Sequence, residues 1–241
     1  MFIASVLMNI NDHFGAIVFD VDGTLFDTLP SLAAAANAVL EDAGLRAIAV
    51  PLLRPALSEG LLPMFRQALA LQSETIPHET AARLERDYLA LYLQRGLAAA
   101  EPFPGVAASL AALAAQGLRL AICTNRDRAS TDALLAAAAF PVDFEVIVGI
   151  GDAPLAKPAA DPLLRVLQLM DLSPSQALFI GDSAIDARCA QAAQVRFAAH
   201  LGGYSSHPDD LLPQVVGFDG YDQLTEWVLK RQPTDKEACH A

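Results

Sequence analysis

The sequence predicts an α/β protein: a doubly wound, Rossmann-like parallel sheet with an all-helical domain inserted into it. Three observations predict it. Short, almost wholly apolar runs recur along the chain, helical stretches rich in alanine and leucine alternate with them, and between residues 30 and 101 the alternation stops. Strands covered on both faces read as continuous apolar runs, and strands alternating with helices build parallel sheets.

The first strand is "AIVFD" (16–20), apolar up to its last residue. After it come only helical runs, "SLAAAANAVLEDAG" (31–44), "GLLPMFRQALALQ" (60–72) and "HETAARLERDYLALYLQRG" (78–96), with glycine or proline at their ends. A parallel crossover needs one helix, and an interval of about 70 residues holds several. Residues 30–101 are therefore expected to form a helical cap domain, with 1–29 and 102–241 as the α/β core. The chain would enter the cap near 27–31 and leave it through "PFPG" at 102–105. Alternation then resumes with the helix "GVAASLAALAAQG" (105–117), which Gly117 closes as a C-cap, and the strand "LRLAICT" (118–124). The helix "RDRASTDALLAAAA" (126–139) and the strand "FEVIVG" (144–149) follow, then the helix "DPLLRVLQLMD" (161–171). The strand "ALFIGD" (177–182), the helix "SAIDARCAQAAQ" (183–194) and the strand "VRFAAH" (195–200) complete the series. "RQPTDKEACHA" reads as a frayed tail. "MFIASVLM" has no basic start and runs into polar residues, so it reads as an extension and not as a signal peptide.

Charge and composition narrow the function. The 241 residues are 54% hydrophobic, enough to bury a sizeable core, and carry a net charge of −12. That charge opposes nucleic acid or an anionic membrane as partner, since both are bound by clustered Lys and Arg. A small anionic ligand held by a few local cations remains. Cys123, Cys189 and Cys239 are too far apart in the chain to suggest a disulfide framework or a zinc site, and a cytoplasmic location is expected. No run approaches the ~20 apolar residues of a membrane helix.

Open α/β sheets bind ligands beyond the carboxyl ends of their strands, where strand order reverses. Asp20 and Asp22 fall at such an end, as do Thr124 and Asn125 after "LAIC" and Asp182 after "LFIG"; the loop "GDAPLAKP" brings Lys157. These residue types suit phosphoryl transfer. Acids from separate strand ends can hold a magnesium ion, which takes oxygen ligands. A cation and a lysine together would offset the repulsion between a nucleophilic carboxylate and a phosphate. Gly23 would allow close backbone approach, and Thr24 could hold the turn.

"DVDGTLFDT", "ICTN", "AKPAADP" and "GDSAIDA", in this order and at strand ends, resemble the four motifs of the haloacid dehalogenase superfamily. The resemblance spans the whole core, and the helical insert after the first motif is similar to that superfamily's helical-cap branch. It implies Asp20 as a nucleophile forming an aspartyl-phosphate, and Asp22 as the general acid and then base. Thr124 and the backbone of Asn125 would bind phosphoryl oxygens, and Lys157 would bridge Asp20 and the phosphate. Mg²⁺ would be ligated by Asp20, Asp182 and the carbonyl of Asp22, with Asp186 behind them on a metal-bound water or on Lys157. Cys123 reads as a buried strand residue.

True dehalogenases lack an acid two residues after the nucleophile, so Asp22 implies a phosphatase. "GGYSSHPDD" and "LSEGLLPMFRQAL" resemble loops of the phosphoglycolate phosphatase-like branch. The implied substrate is a small anionic phosphate ester, phosphoglycolate or a sugar phosphate, and the implied assembly a monomer or homodimer. In the cap, Arg54, Ser58, Glu59, Gly60 and Arg66 are placed to read the leaving group; His207 reads as an ordinary loop residue. Two other functions fit the same residues: a phosphomutase, which would return the phosphoryl group to a sugar, and a non-catalytic protein that binds a phosphate ligand.

Overall fold

A computed structural model of the protein describes residues 13–96, 99–205 and 207–232. The expected N-terminal extension, nearly all of the expected tail, and Cys239 lie outside those residues. Six strands form one parallel sheet in the order β5-β4-β1-β6-β7-β8. They are β1 (Ala16–Phe19), β4 (Arg119–Asp127), β5 (Val146–Ile150), β6 (Ala177–Gly181), β7 (Arg196–His200) and β8 (Val216–Phe218). The central β1 pairs in parallel with β4 on one side and β6 on the other, so the winding reverses at β1. The carboxyl ends of these three strands form the crevice where such sheets bind ligands.

The apolar runs are continuous because both faces are covered. Ile17 and Phe19 of β1 join one buried cluster with Leu110 and Leu113 of α5 (Val106–Ala115), Leu134 of α6 (Arg128–Ala138), and Leu224 and Val228 of α9 (Tyr221–Leu229). The alternate residues Ala16 and Val18 join a second cluster with Leu163 and Val166 of α7 (Asp161–Leu169) and Ala187 and Ala190 of α8 (Ala184–Ala193). This is the two-residue period of a strand read against helices on each side.

The helical insert begins one residue before the expected boundary and comprises α1 (Leu29–Asp42), α2 (Val50–Leu57), α3 (Leu61–Ala70) and α4 (His78–Leu91), with a π-helical turn at Tyr92–Gly96. These helices surround a third buried cluster, in which Phe65 and Tyr88 stack 4.6 Å apart, centroid to centroid. Such a ring pair adds about 0.5–1.5 kcal/mol beyond its area. The chain leaves and re-enters the core side by side: β2 (Phe26–Asp27) pairs antiparallel with β3 (Glu101–Pro102).

The strand β8 and the helices α2 and α9 were not evident in the sequence, and the start of α6 differs from the expected one. The edge strand β8 is only three residues long and includes Gly217, too short to show a period. Helix α2 carries Pro51 and Pro55; Pro51 sits in the first turn, where a missing N–H costs nothing, but the pair disguises the helix. Helix α9 follows the short edge strand. Helix α6 starts at Arg128 and not at 126, because β4 runs on to Asp127 with an irregularity after Cys123. Asp127 caps the helix, its side chain accepting from Ser130 N at 2.9 Å.

Candidate active site

The turn after β1 positions the first two acids. Gly23 has φ +78°, and a Cβ there would lie 2.2 Å from Asp182 Oδ2, so the turn demands glycine on both conformational and steric grounds. His200 at the end of β7 fixes this turn from below: its Nδ1–H donates to Gly23 O at 2.8 Å. The imidazole is packed among Phe103, Phe218 and Tyr221, and burial lowers its pKa, which keeps it neutral.

Asp20, Asp182 and Asp186 form a buried acidic cluster whose ligand atoms lie within 4.8 Å of one another. Lys157 joins it from the loop after β5: its Nζ lies 2.9 Å from Asp20 Oδ1 and donates to Asp186 Oδ1 at 2.6 Å. The lysine is 4% exposed; burial opposes its charge, yet Asp186 and Asp20 overcome that and raise its pKa well above normal. Asp186 is held on its other oxygen by Ser183, whose N–H (3.1 Å) and hydroxyl (2.5 Å) donate to Oδ2 at the start of α8. Asp182 accepts from the Thr24 hydroxyl (2.9 Å) and from Tyr204 N (2.7 Å).

Three carboxylates face one ammonium in a buried site, an excess of acidic groups over cations. Burial above all pushes the Asp20 carboxyl up to about 7, with Lys157 pulling the other way, and likewise raises Asp182. The donor set therefore fits a divalent cation: hard oxygen ligands in excess negative charge, converging from two strand ends.

Asp22 stands apart from this cluster. Its carboxylate accepts from Arg126 Nε on Oδ2 (3.0 Å), and on Oδ1 from Arg126 Nη2 and the Thr28 hydroxyl (2.5 Å). Asn125 ties β4 to the loop after β5, its side-chain oxygen accepting from Lys157 N and its amide donating to Lys157 O, each at 3.0 Å. Thr124 is buried, and its hydroxyl accepts from Arg126 N at 3.1 Å.

From the insert, Leu57, Ser58 and Gly60 close over Asp20, Asp22, Thr124, Asn125 and Asp182. The space left between them is small, about 10 Å³. Gly60, at φ +118°, makes the approach possible, since even a Cβ there would sit 3.1 Å from Asn125 O. Arg54 and Glu59 line an adjoining cleft with Ser58 and Tyr204. Arg66 turns aside, its guanidinium forked on Glu85 at 2.9 and 3.0 Å.

The structure thus brings together Asp20, Asp182, Asp186 and Lys157, with Asp22, Thr124, Asn125, Ser58 and Gly60 around the same cavity and Arg54 at its rim. Sequence reasoning gave no role to Arg126, Ser183, Thr28 or His200. Only Ser183 carried a signal, a serine three residues before an acid at a helix start. Tyr204 donates its hydroxyl to Asp27 and accepts from Leu29 N, bolting the core's glycine-tyrosine loop to the root of the insert.

A doubly wound sheet with an acidic cluster and a buried lysine at its switch point, roofed by a helical insert, defines an α/β phosphohydrolase. The model of the family described as haloacid dehalogenase-like hydrolase matches residues 17–200, and the chain belongs to that family. The phosphoglycolate phosphatase of Rhodospirillum rubrum is 34% identical over 223 residues, covering 90% of this chain and 92% of that one. A crystal structure described as a predicted phosphoglycolate phosphatase from Haemophilus somnus superposes with a TM-score of 0.84 at 26% identity, covering 89% of this chain and 97% of that one. CbbY of Rhodobacter sphaeroides, solved in complex with xylulose-1,5-bisphosphate, shares the fold with a TM-score of 0.75 at 24% identity, over 88% and 96% of the two chains. The chain is an enzyme of the phosphoric monoester hydrolase type, similar to phosphoglycolate phosphatases. Among the described residues, no helix is long and apolar enough to cross a membrane.

Proposed function

We propose that the protein is a magnesium-dependent phosphatase of the cytoplasm that hydrolyses a small phosphomonoester, of the phosphoglycolate or sugar-phosphate type, through a phosphoryl group carried on Asp20. The carrying observation is the buried Lys157, held between Asp20 and Asp186. A carboxylate attacking a phosphate dianion meets like charge, and a desolvated ammonium beside the attacking oxygen offsets it far better than one in water.

Asp20 Oδ attacks phosphorus as the bond to the leaving oxygen breaks, and Asp22 gives that oxygen its proton. Asp22 then takes a proton from water as the water attacks the aspartyl-phosphate; inorganic phosphate leaves and Asp20 is restored. Thr124 and the Asn125 backbone hold the phosphoryl oxygens, while Asp186 aims Lys157. Asp20, Asp182 and the carbonyl of Asp22 would hold magnesium, which when bound would supply positive charge next to the phosphoryl group.

Residues 30–101 act as a cap domain on a core of 1–29 and 102–241, opening about 27–31 and 102–105. Leu57, Ser58 and Gly60 leave little room over Asp20 and Asp22, which supports a movement of the insert to admit substrate. Ser58, Gly60 and Arg54 then face the leaving group, as a monomer or within a homodimer. Relatives named phosphoglycolate phosphatase support the substrate type.

Phosphate release from a panel of alkyl phosphates and sugar phosphates, with Mg²⁺ and in excess EDTA, tests the reading. Turnover confined to the metal-supplied reaction is expected. Full activity in EDTA, or a product that retains the phosphoryl group on another hydroxyl of the sugar, would overturn it.

A further inference from the structure

Arg126 has no part in the scheme above, yet it is the largest fully buried side chain among the described residues, and a lone guanidinium is expensive to bury. It follows Thr124 and Asn125 in the stretch where β4 loses its regular pairing with β5, an irregularity that re-aims side chains. Its fork lies on Asp22, and its Cζ sits 5.3 Å from the ring centroid of Tyr92, a buried residue of the insert. Thr28, at the root of the insert, holds the same carboxylate.

The acceptor sites of Asp22 are unequally filled. A carboxylate offers about four lone-pair positions, two on each oxygen. Oδ1 receives Arg126 Nη2 and the Thr28 hydroxyl, so both of its positions are filled. Oδ2 receives only Arg126 Nε, and one position stays open. Asp22 and Arg126 both border the cavity that also holds Asp20 and Thr124.

We propose that Arg126 is a positioning residue for proton transfer: its fork, with Thr28, fixes the Asp22 carboxylate so that one lone pair of Oδ2 carries the proton to the leaving oxygen and from the water. This rests on the assignment of Asp22 as acid and base. Packing against Tyr92 ties the fork to the seated insert, so the aim is complete only when the insert is closed. A lysine could replace the charge but not both arms of the fork.

The test uses the full-length, magnesium-loaded enzyme, the alkyl phosphate of the panel that turns over fastest, and p-nitrophenyl phosphate, whose leaving group needs no proton. Arg126→Lys and Arg126→Met are expected to lose about 10- to 100-fold in kcat on the alkyl ester, a part of the typical general acid–base contribution. KM, inhibition by inorganic phosphate and the single-turnover release of p-nitrophenol should stay close to wild type. If the Met variant does not fold, the Lys variant alone carries the comparison. Equal losses on both esters with weakened phosphate inhibition would make Arg126 a phosphate ligand and overturn the proposal, as would unchanged kcat on the alkyl ester in a folded variant. Asp22→Asn in the same assays separates the two levels. If it lacks leaving-group selectivity, the acid–base assignment itself fails; if it shows selectivity that the Arg126 variants do not share, the positioning role alone fails.

Discussion

Lys157→Met removes the cation from a cluster of three buried carboxylates while keeping much of the side chain's volume. Asp20, Asp182 and Asp186 are 8%, 1% and 0% exposed, so water cannot take over the lysine's role. Breaking a buried ion pair by deleting one partner costs about 3–5 kcal/mol, because the other charge stays behind. In a chain of this size each kcal/mol moves Tm by roughly 2–4 °C, so the variant should melt about 6–20 °C lower in EDTA at pH 8. The sign with pH follows from Asp20, whose carboxyl burial already pushes up to about 7 while Lys157 pulls it down. Without the lysine it rises further. A carboxyl with a folded pKa above its unfolded one takes up a proton on folding, so the deficit is small near pH 4 and grows as pH rises through 7. Lys157 itself, with its pKa raised, keeps its charge across that window, and its contribution fades only at strongly alkaline pH. Scanning calorimetry of both proteins in EDTA at pH 5 and pH 8 measures this. Tm values within about 2 °C of each other at both pH values would refute the argument that Lys157 balances this cluster. Turnover with saturating Mg²⁺ should fall by at least about 10²-fold, the usual loss of one pre-organised charge.

Asp22→Asn should lower steady-state turnover of an alkyl phosphate by about 10²–10⁴ while p-nitrophenyl phosphate still releases one equivalent of p-nitrophenol, as rapid-mixing absorbance would show. Gly23→Ala should abolish activity and weaken metal binding, measured by titration calorimetry, because the added Cβ enters the space of the Asp182 carboxylate at a φ that alanine resists. Magnesium and protons compete for Asp20 and Asp182, both raised by burial, so the rise in Tm on adding Mg²⁺ should grow between pH 5 and pH 8. A shift that is flat or falling with pH would count against those two aspartates as ligands.

The sheet was legible in the sequence because its strands are covered on both faces. Five of its six strands announce themselves as apolar runs, whereas Val216–Phe218 is too short to show any pattern. Asp20, Asp182 and Lys157 were legible because strand ends in such a sheet converge on one edge. The side-chain arrangement of Asp22 was not. Nothing in the spacing of Asp22, Thr28, Tyr92 and Arg126 indicates that they meet, since a core strand, a hinge and an insert helix bring them together. Tyr204 is similar: "GGY" marks a loop, but its two bonds to Asp27 and Leu29 depend on where the insert sits.

Acid quenching of the wild-type and Asp22→Asn enzymes during turnover of p-nitrophenyl phosphate, followed by peptide mass spectrometry, tests the central claim most directly. A phosphoryl increment is expected on the peptide carrying Asp20, sensitive to hydroxylamine, persisting in Asp22→Asn because no base activates the water, and absent from Asp20→Asn. Phosphate release that continues in Asp20→Asn, or an increment on any other residue, would contradict the account.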